Sequence, residues 1–415
     1  MKSILIIGSG GREHALARAF LKSKHVGKVF VAPGNLGMKM DEITLVDISV
    51  TDAVSLIKFA KENSIDITFV GSEAPLDAGV VNAFRAEGLL AVGPTKEAAR
   101  LESSKNFAKD VMNRAGVKNA KHRYFKVGEQ EAATKFIEEM GLPFVIKADG
   151  LMAGKGVVIP SSMKEAKETL NEMMQDSNVV IEEFLVGREF SYFAFVNGEH
   201  IIPVGAACDY KRVGENDTGL NTGGMGAFAP VSWVDETLKQ RVIDEVIKPV
   251  ATQMVKDANP YTGVLYAGLI LTKDGPKVIE FNARFGDPET QILLPLLNED
   301  FYDIVMAHVN KKEFEITLKE GVNLGVVLAS KGYPGEYEKG KNLTIPKEIW
   351  SSIYSAGMEL VSGDEFKTAG GRVLMVTSHA QNIDECRDAV YKKVKLIKSE
   401  NTFYRNDIGL HRDKI

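Results

Sequence analysis

The chain has 415 residues, 44% of them hydrophobic and 26% charged, a globular composition that excludes a small disulfide-stapled scaffold or a mainly disordered protein and predicts two to three domains of roughly 100 to 200 residues. Lys and Arg number 51 against 56 Asp and Glu, for a net charge of −5, so no bulk positive field draws the chain to nucleic acid or an anionic membrane. Cys208 and Cys386 form neither a disulfide framework nor a zinc spacing; with no signal-peptide core and no run of ~20 apolar residues, this predicts a cytoplasmic protein.

Residues 4–7 (ILII) predict a buried strand, the glycines at 8, 10 and 11 a tight turn, and Glu13 to Lys22 a helix with Ala15, Leu16, Ala19 and Phe20 inward. The alternation continues through a strand at 29–31, a helix at 52–62, a strand at 65–70, a helix at 77–87 and a strand at 89–92, the pattern of a parallel α/β sheet. Gly93 and Pro94 punctuate its end, and Ser103 or Ser104 caps a helix running to Arg114, placing a boundary near residue 103. From residue 121 longer strands at 144–147, 157–159, 179–184, 189–196 and 201–207, with a hairpin turn at Asn197 and Gly198, predict antiparallel pairing in an α+β domain. A further hairpin is expected at 263–272 and 276–283 about Asp274 and Gly275. Strands at 324–329 and 372–377 and a closing helix at 383–397 predict a small third domain.

Several segments carry chemistry on this frame. Gly8 to Glu13 exposes amides at a helix N-terminus, which attract phosphate, but Glu13 stands where the dinucleotide fingerprint has its third glycine. Gly10 and Gly11 are therefore candidates for phosphate or sugar contact more than for nicotinamide binding. In the run from Val145 to Val157 a strand delivers Lys147, and Lys155 lies between Gly154 and Gly156, which let backbone wrap closely around phosphate oxygens. Three residues separate Gly150 from Gly154 and Gly156 replaces the magnesium-binding Ser or Thr, so this is not a Walker loop. Glu182, Glu183, Phe184, Leu185 and Glu189 offer a strand edge with carboxylates, which adenine and ribose hydroxyls require. Glu280 and Asn282 share one face of a strand as hard oxygen ligands suited to magnesium, and Arg284 continues that face as a candidate anion holder. Asp209 to Arg212 leads into the loop from Asn221 to Gly226, a basic cluster able to close over an anionic intermediate.

Taken in order, these segments resemble the phosphoribosylamine–glycine ligase family of the ATP-grasp superfamily over nearly the whole chain. The resemblance is carried by GSGGREHAL at 8–16, APGN at 32–35, GSEAPL at 71–76, SKNFAK at 104–109, KADGLMAGKGV at 147–157, NTGGMGAFAP at 221–230, LYAGL at 265–269, EFNARFGDPETQ at 280–291, GYPG at 332–335, TAGGRVL at 368–374 and YRNDIG at 404–409. Ser72 stands where the family usually has Pro, Met152 where it has Ala, Tyr210 where it often has His, and Leu220 where it has Pro. The segment from Gly263 to Leu271, where many ATP-grasp relatives offer another acidic metal ligand, has no acid.

The resemblance implies an N-terminal parallel α/β domain at 1–103, a central ATP-grasp fold at 104–322 with a small mobile lid at about 121–187, and a small C-terminal α+β domain at 323–415. It implies joining of glycine to 5-phosphoribosylamine, with ATP as co-substrate and Mg2+ or Mn2+ as the ion, through glycyl phosphate, by a monomer or weak dimer. Lys105, Lys147 and Lys155, with Gly154 and Gly156, would face ATP phosphates, Glu182 to Leu185 the adenine, Glu189 the ribose, and Glu280 with Asn282 the metal. Asp209 and Lys211 would work with Arg284 at the reacting groups, Asp209 on the glycine ammonium and Arg284 on the transferring anion. Phosphoribosylamine is expected at Gly10, Gly11, Asn35, Glu73, Thr222, Gly223, Asp287 and Arg372, with Glu73 on the ribose and Arg372 on the phosphate. Other readings remain: a dehydrogenase built on the first glycine turn, a non-catalytic nucleotide sensor, which would keep Lys147 and the adenine edge but need not retain the Glu280, Asn282, Arg284 constellation, and another ATP-grasp carboxylate–amine ligase of purine metabolism.

Overall fold

The computed structural model describes residues 1–150 and 156–410; Gly154 and Lys155, expected at the nucleotide phosphates, lie outside the described residues. The N-terminal sheet has five parallel strands in the order Thr44–Leu45, Val26–Pro33, Lys2–Gly8, Ile67–Val70, Ala91–Val92. Its central strand is covered on both faces, which is why Ile4 to Ile7 reads as an unbroken apolar run, all fully buried. Each such side chain contributes about 1.5 to 3 kcal/mol relative to exposure. The expected helix at 77–87 is instead two helices, Glu73–Asp77 and Val80–Ala86, because Gly79 turns the chain between them at φ 81°. Ser104 does cap a helix, Lys105–Ala115, accepting from the Phe107 amide at 3.2 Å.

The central sheet is antiparallel and runs in the order Gly275–Asn282, Thr262–Thr272, Arg188–Asn197, His200–Asp209, Gly226–Ala229, Val322–Ser330, Arg372–Ala380, Ile353–Ser355. C-terminal strands therefore continue the central sheet, and a small antiparallel sheet containing Met358–Ser362, Glu365–Thr368 and Asn342–Thr344 sits beside them. A separate antiparallel sheet, His122–Phe125, Val179–Glu183, Phe144–Ala148 and Val157–Val158, carries the helices Gln130–Met140 and Met163–Met173. It has its own core, built on Phe125, Ile137, Phe144, Leu170 and Ile181, as expected of a small unit placed over a larger one. Among the described residues, no helix is long and apolar enough to cross a membrane.

Candidate active site

A cavity of about 520 Å3 opens where these parts meet, lined by Arg12 and Glu73 from the N-terminal sheet domain, Lys147 and Glu182 from the small sheet, Glu280, Asn282 and Arg284 from the central sheet, and Tyr333 and Arg372 from the C-terminal part. Lys105, Asp209, Lys211, Thr222, Gly223, Asp287 and Gly156 line it as well.

Lys147 lies on the Phe144–Ala148 strand, and its ammonium is 3.0 Å from a Glu182 oxygen and donates to the Ile279 carbonyl at 3.0 Å. That carbonyl is available because Gly268 pairs with Glu280 but Leu269 with Val278, leaving Ile279 as an extra residue in its strand. Lys109 stands 3.1 Å from the other Glu182 oxygen. Burial pushes the Glu182 carboxyl up, but Lys147 and Lys109 outweigh it and hold it below the usual carboxylate range. Burial also pushes Lys109 down to about 8, against the pull of Glu182. Lys105 donates to the Gly150 carbonyl at 2.8 Å, and burial lowers its pKa. The Glu182 carboxylate is thus engaged by two lysines. Its backbone is paired on both sides, with His122 and with Val145. Phe184 and Leu185 follow the end of that ladder; they, Glu183 and Glu189 are outside the cavity lining, although Lys211 approaches Glu189 at 3.7 Å.

Glu280 and Asn282 sit side by side on the Gly275–Asn282 strand, and among the described residues Glu280 makes no hydrogen bond or ion pair. An unpaired carboxylate beside an amide oxygen, between the lysines and Arg284, fits a hard divalent cation. Tyr266 is the residue opposite Asn282 in the neighbouring strand, where no acid was found in the sequence.

Arg284 is held by two carboxylates from the N-terminal part of the chain: its Nε is 3.3 Å from Glu73 and its Nη2 2.7 Å from Glu102. Nη2 also donates to Asn282 Oδ1 at 3.3 Å. Burial lowers the Arg284 pKa, but Glu102 and Glu73 reverse this, so it stays charged. Burial alone raises Glu73, yet Arg284 and Arg12 bring it down to about 2. Lys211 lies 3.4 Å from Asp209, and despite burial its pKa is raised well above the ordinary value by Asp209. Behind them Glu289 accepts from Tyr266 at 2.8 Å and Ser191 at 3.1 Å, its carboxyl pushed up by burial and by Asp209. Arg372 donates through Nη1 to the carbonyls of Gly223 at 2.7 Å and Asp287 at 2.9 Å, and pairs with the Asp287 carboxylate at 3.2 Å. A Cβ at position 223 would stand 3.0 Å from the Arg372 guanidinium carbon, which explains the glycine.

Of the first glycine turn Arg12 lines the cavity, whereas Gly10 and Gly11 do not. Glu13 folds back and accepts from the Gly10 amide at 2.7 Å, while Arg12 Nε donates to its other oxygen at 2.7 Å. The amide expected to meet phosphate is therefore capped internally. Gly11 packs against Gln291, whose Nε2 a Cβ there would approach to 2.6 Å. Asn35 builds a turn, donating to the Ser9 carbonyl at 2.7 Å and accepting from the Gly37 amide at 3.1 Å. Arg12, Glu102, Lys109, Tyr266, Glu289 and Tyr333 were not foreseen in the cavity. Lys109 stands one helical turn after Lys105, and Arg12, Tyr266, Glu289 and Tyr333 lie within motifs that carry the family resemblance; Glu102 left no such signal.

A parallel N-terminal domain, a small sheet over a central antiparallel sheet, and lysines facing a carboxylate–amide pair define an ATP-grasp enzyme. Three family models match in series: the N domain of phosphoribosylglycinamide synthetase over residues 2–102, its ATP-grasp (A) domain over 103–290 and its C domain over 323–411. The chain is 47% identical over 417 residues to the phosphoribosylamine–glycine ligase of Listeria innocua serovar 6a, covering 98% of this chain and 99% of that one. It is 48% identical over 415 residues to the enzyme of the same name from Streptococcus pneumoniae serotype 4, covering 98% of each. The crystal structure of phosphoribosylamine–glycine ligase from Thermotoga maritima superposes with a TM-score of 0.86 at 34% identity, over 98% of this chain and all of that one, 100%. A biotin carboxylase from Campylobacter jejuni, at TM-score 0.74 and 18% identity over 100% of this chain and 95% of that one, shares the fold. The chain belongs to the phosphoribosylamine–glycine ligase family.

Proposed function

We propose that this chain is an ATP-dependent carbon–nitrogen ligase that joins glycine to 5-phosphoribosylamine, giving glycinamide ribonucleotide, ADP and phosphate in purine biosynthesis. The observation that carries this reading is family identity along the whole chain, 47% over 98% of it, together with one cavity drawing on all three parts.

A carboxylate is a poor acyl donor to an amine, so the glycine carboxylate first attacks the γ-phosphoryl group and becomes glycyl phosphate; the amine then displaces phosphate. Lys105 and Lys147 hold the nucleotide phosphates, to which Lys155 and the glycines at 154 and 156 are assigned as well. Lys147 trades its contact with Glu182 for phosphate, and Lys109 keeps Glu182 paired meanwhile. Adenine binds along the backbone after Glu183, at Phe184 and Leu185, with Glu189 toward the ribose. Glu280 and Asn282 hold a magnesium or manganese ion, which supplies neutralisation of phosphate charge when bound. Asp209 takes the glycine ammonium with Lys211 alongside, and Arg284 faces the transferring anion. Glu73, Thr222, Gly223, Asp287 and Arg372 form the phosphoribosylamine end, across the cavity from the lysines. Catalysis is then positioning plus fixed charge in a site closed from water.

The test is phosphate release and product formation with ATP, glycine and freshly prepared phosphoribosylamine, against omission of each. Activity only with all three supports the reading; turnover with another carboxylate in place of glycine favours a different ATP-grasp ligase of purine metabolism.

A further inference from the structure

The strand His200–Asp209 runs on into Tyr210 and Lys211, where alternate residues of extended chain face opposite sides. Asp209 and Lys211 line the cavity, whereas Tyr210 does not and is only 1% exposed. The Tyr210 hydroxyl accepts from the Gly409 amide at 2.8 Å and donates to the Leu410 carbonyl at 3.3 Å, and the Arg405 guanidinium lies 5.1 Å from its ring centre. Arg405, itself 1% exposed, donates to Asp407 at 2.8 and 2.6 Å, to Asp217 at 3.0 Å and to the Arg212 carbonyl at 2.8 Å. Asn406 donates to Glu215, and the Asn216 amide donates to Asp407. On its other side the same tail is fixed to the helix Ile383–Val394, where the Tyr391 hydroxyl donates to the Arg405 carbonyl at 2.6 Å.

We infer that residues 402–410 are a clasp that positions Asp209 and Lys211 in the cavity, with Tyr210 as its point of attachment; this rests on the ligase reading above. Among the described residues the ammonium of Lys211 has Asp209 and Glu189 as its ion partners, at 3.4 and 3.7 Å, both loose contacts, so the path of its backbone sets where the charge sits. The Lys211 carbonyl accepts both the amide and the hydroxyl of Thr222, each at 2.8 Å, so displacement at Tyr210 reaches Thr222 and Gly223 as well. Residues 215–220 are exposed, and the loop tip meets the tail through Glu215, Asn216 and Asp217. The lysines at the nucleotide end lie on other elements, Lys105 on the Lys105–Ala115 helix and Lys147 on the Phe144–Ala148 strand, and are independent of this clasp.

Tyr210→Phe removes the hydroxyl and keeps the ring. The expected result is a rise of roughly tenfold in the KM for glycine, with the KM for ATP within about twofold of wild type and a melting temperature lower by no more than a few degrees. A chain ending at Glu400 should show the same split more strongly; if that chain does not fold, Tyr210→Phe decides alone. An unchanged glycine KM in Tyr210→Phe, or glycine and ATP constants that rise together, overturns the clasp. If the wild type makes no amide from glycine and phosphoribosylamine, the ligase reading fails instead.

Discussion

Glu73 and Arg284 meet at 3.3 Å across the junction of the N-terminal domain with the central sheet, and the pair is lopsided. The Glu73 side chain is 36% exposed, while Glu102, the other carboxylate on Arg284, is 8% exposed and also accepts from the Ala283 amide at 2.7 Å. Glu102 is the fixed partner and Glu73, which also faces Arg12 at 3.7 Å, the more exchangeable one; in the proposed reading it would turn to the ribose hydroxyls of the substrate. Glu73→Gln should raise the KM for phosphoribosylamine about tenfold, the scale of one hydrogen bond to a charged group, and leave the KM for ATP unchanged. Steady-state kinetics with each substrate varied in turn checks this, and an equal rise in both constants contradicts it.

Glu280 lines the cavity with no cation bonded to its carboxylate among the described residues, and unlike Glu289, which accepts from Tyr266 and Ser191, it has no side-chain hydrogen bond either. Glu280→Ala should lower kcat on the order of a thousandfold, since several kcal/mol of phosphate charge stabilisation depend on the ion it holds. Its melting temperature should remain near that of wild type, because among the described residues nothing is bonded to that carboxylate. Near-normal turnover at saturating magnesium contradicts the metal assignment.

Lys109 shares Glu182 with Lys147, so Lys109→Met should make Lys147 the sole partner of a buried carboxylate and harder to draw toward phosphate. Nucleotide affinity measured by calorimetry should fall severalfold, and denaturant unfolding should show a loss of about 1 to 3 kcal/mol. Unchanged affinity with unchanged stability contradicts the shared clamp.

His14 joins the first helix to the C-terminal part. Its Nδ1 accepts the Ser355 amide at 2.8 Å, which leaves the proton on Nε2, facing Asp41. Burial, then Arg18, brings its pKa down to about 4 despite Asp41. The unfolded chain takes up this proton near pH 6.5 and the folded one near 4, so this stabilisation is fully present above about pH 6.5 and is lost as pH falls toward 4. Between those limits the loss amounts to about 3 kcal/mol. Melting temperatures should fall across that window in the wild type and fall less in His14→Gln; parallel slopes contradict it.

Much of this site was legible in the sequence for local reasons. Glu280 and Asn282 share a face because strand side chains alternate, and Lys147 precedes a glycine loop that has little other use. The remainder depends on chain crossings that no local pattern reports. Glu102 and Arg284 are brought together by packing of the first domain on the central sheet, and Glu289 reaches Tyr266 and Ser191 on two other elements. Gly10 was misread because a glycine turn before a helix attracts anions in general, whereas here Glu13 supplies the anion from within the helix itself. The split of the helix expected at 77–87 likewise turned on one residue, Gly79.

The account rests centrally on transfer of the γ-phosphoryl group to the glycine carboxylate before the amine attacks. Glycine carrying heavy oxygen in its carboxylate, turned over with ATP and phosphoribosylamine, tests this by mass spectrometry of the released phosphate. The account predicts one heavy oxygen in each phosphate formed. Label retained wholly in the amide product and unreacted glycine, with unlabelled phosphate, would contradict it.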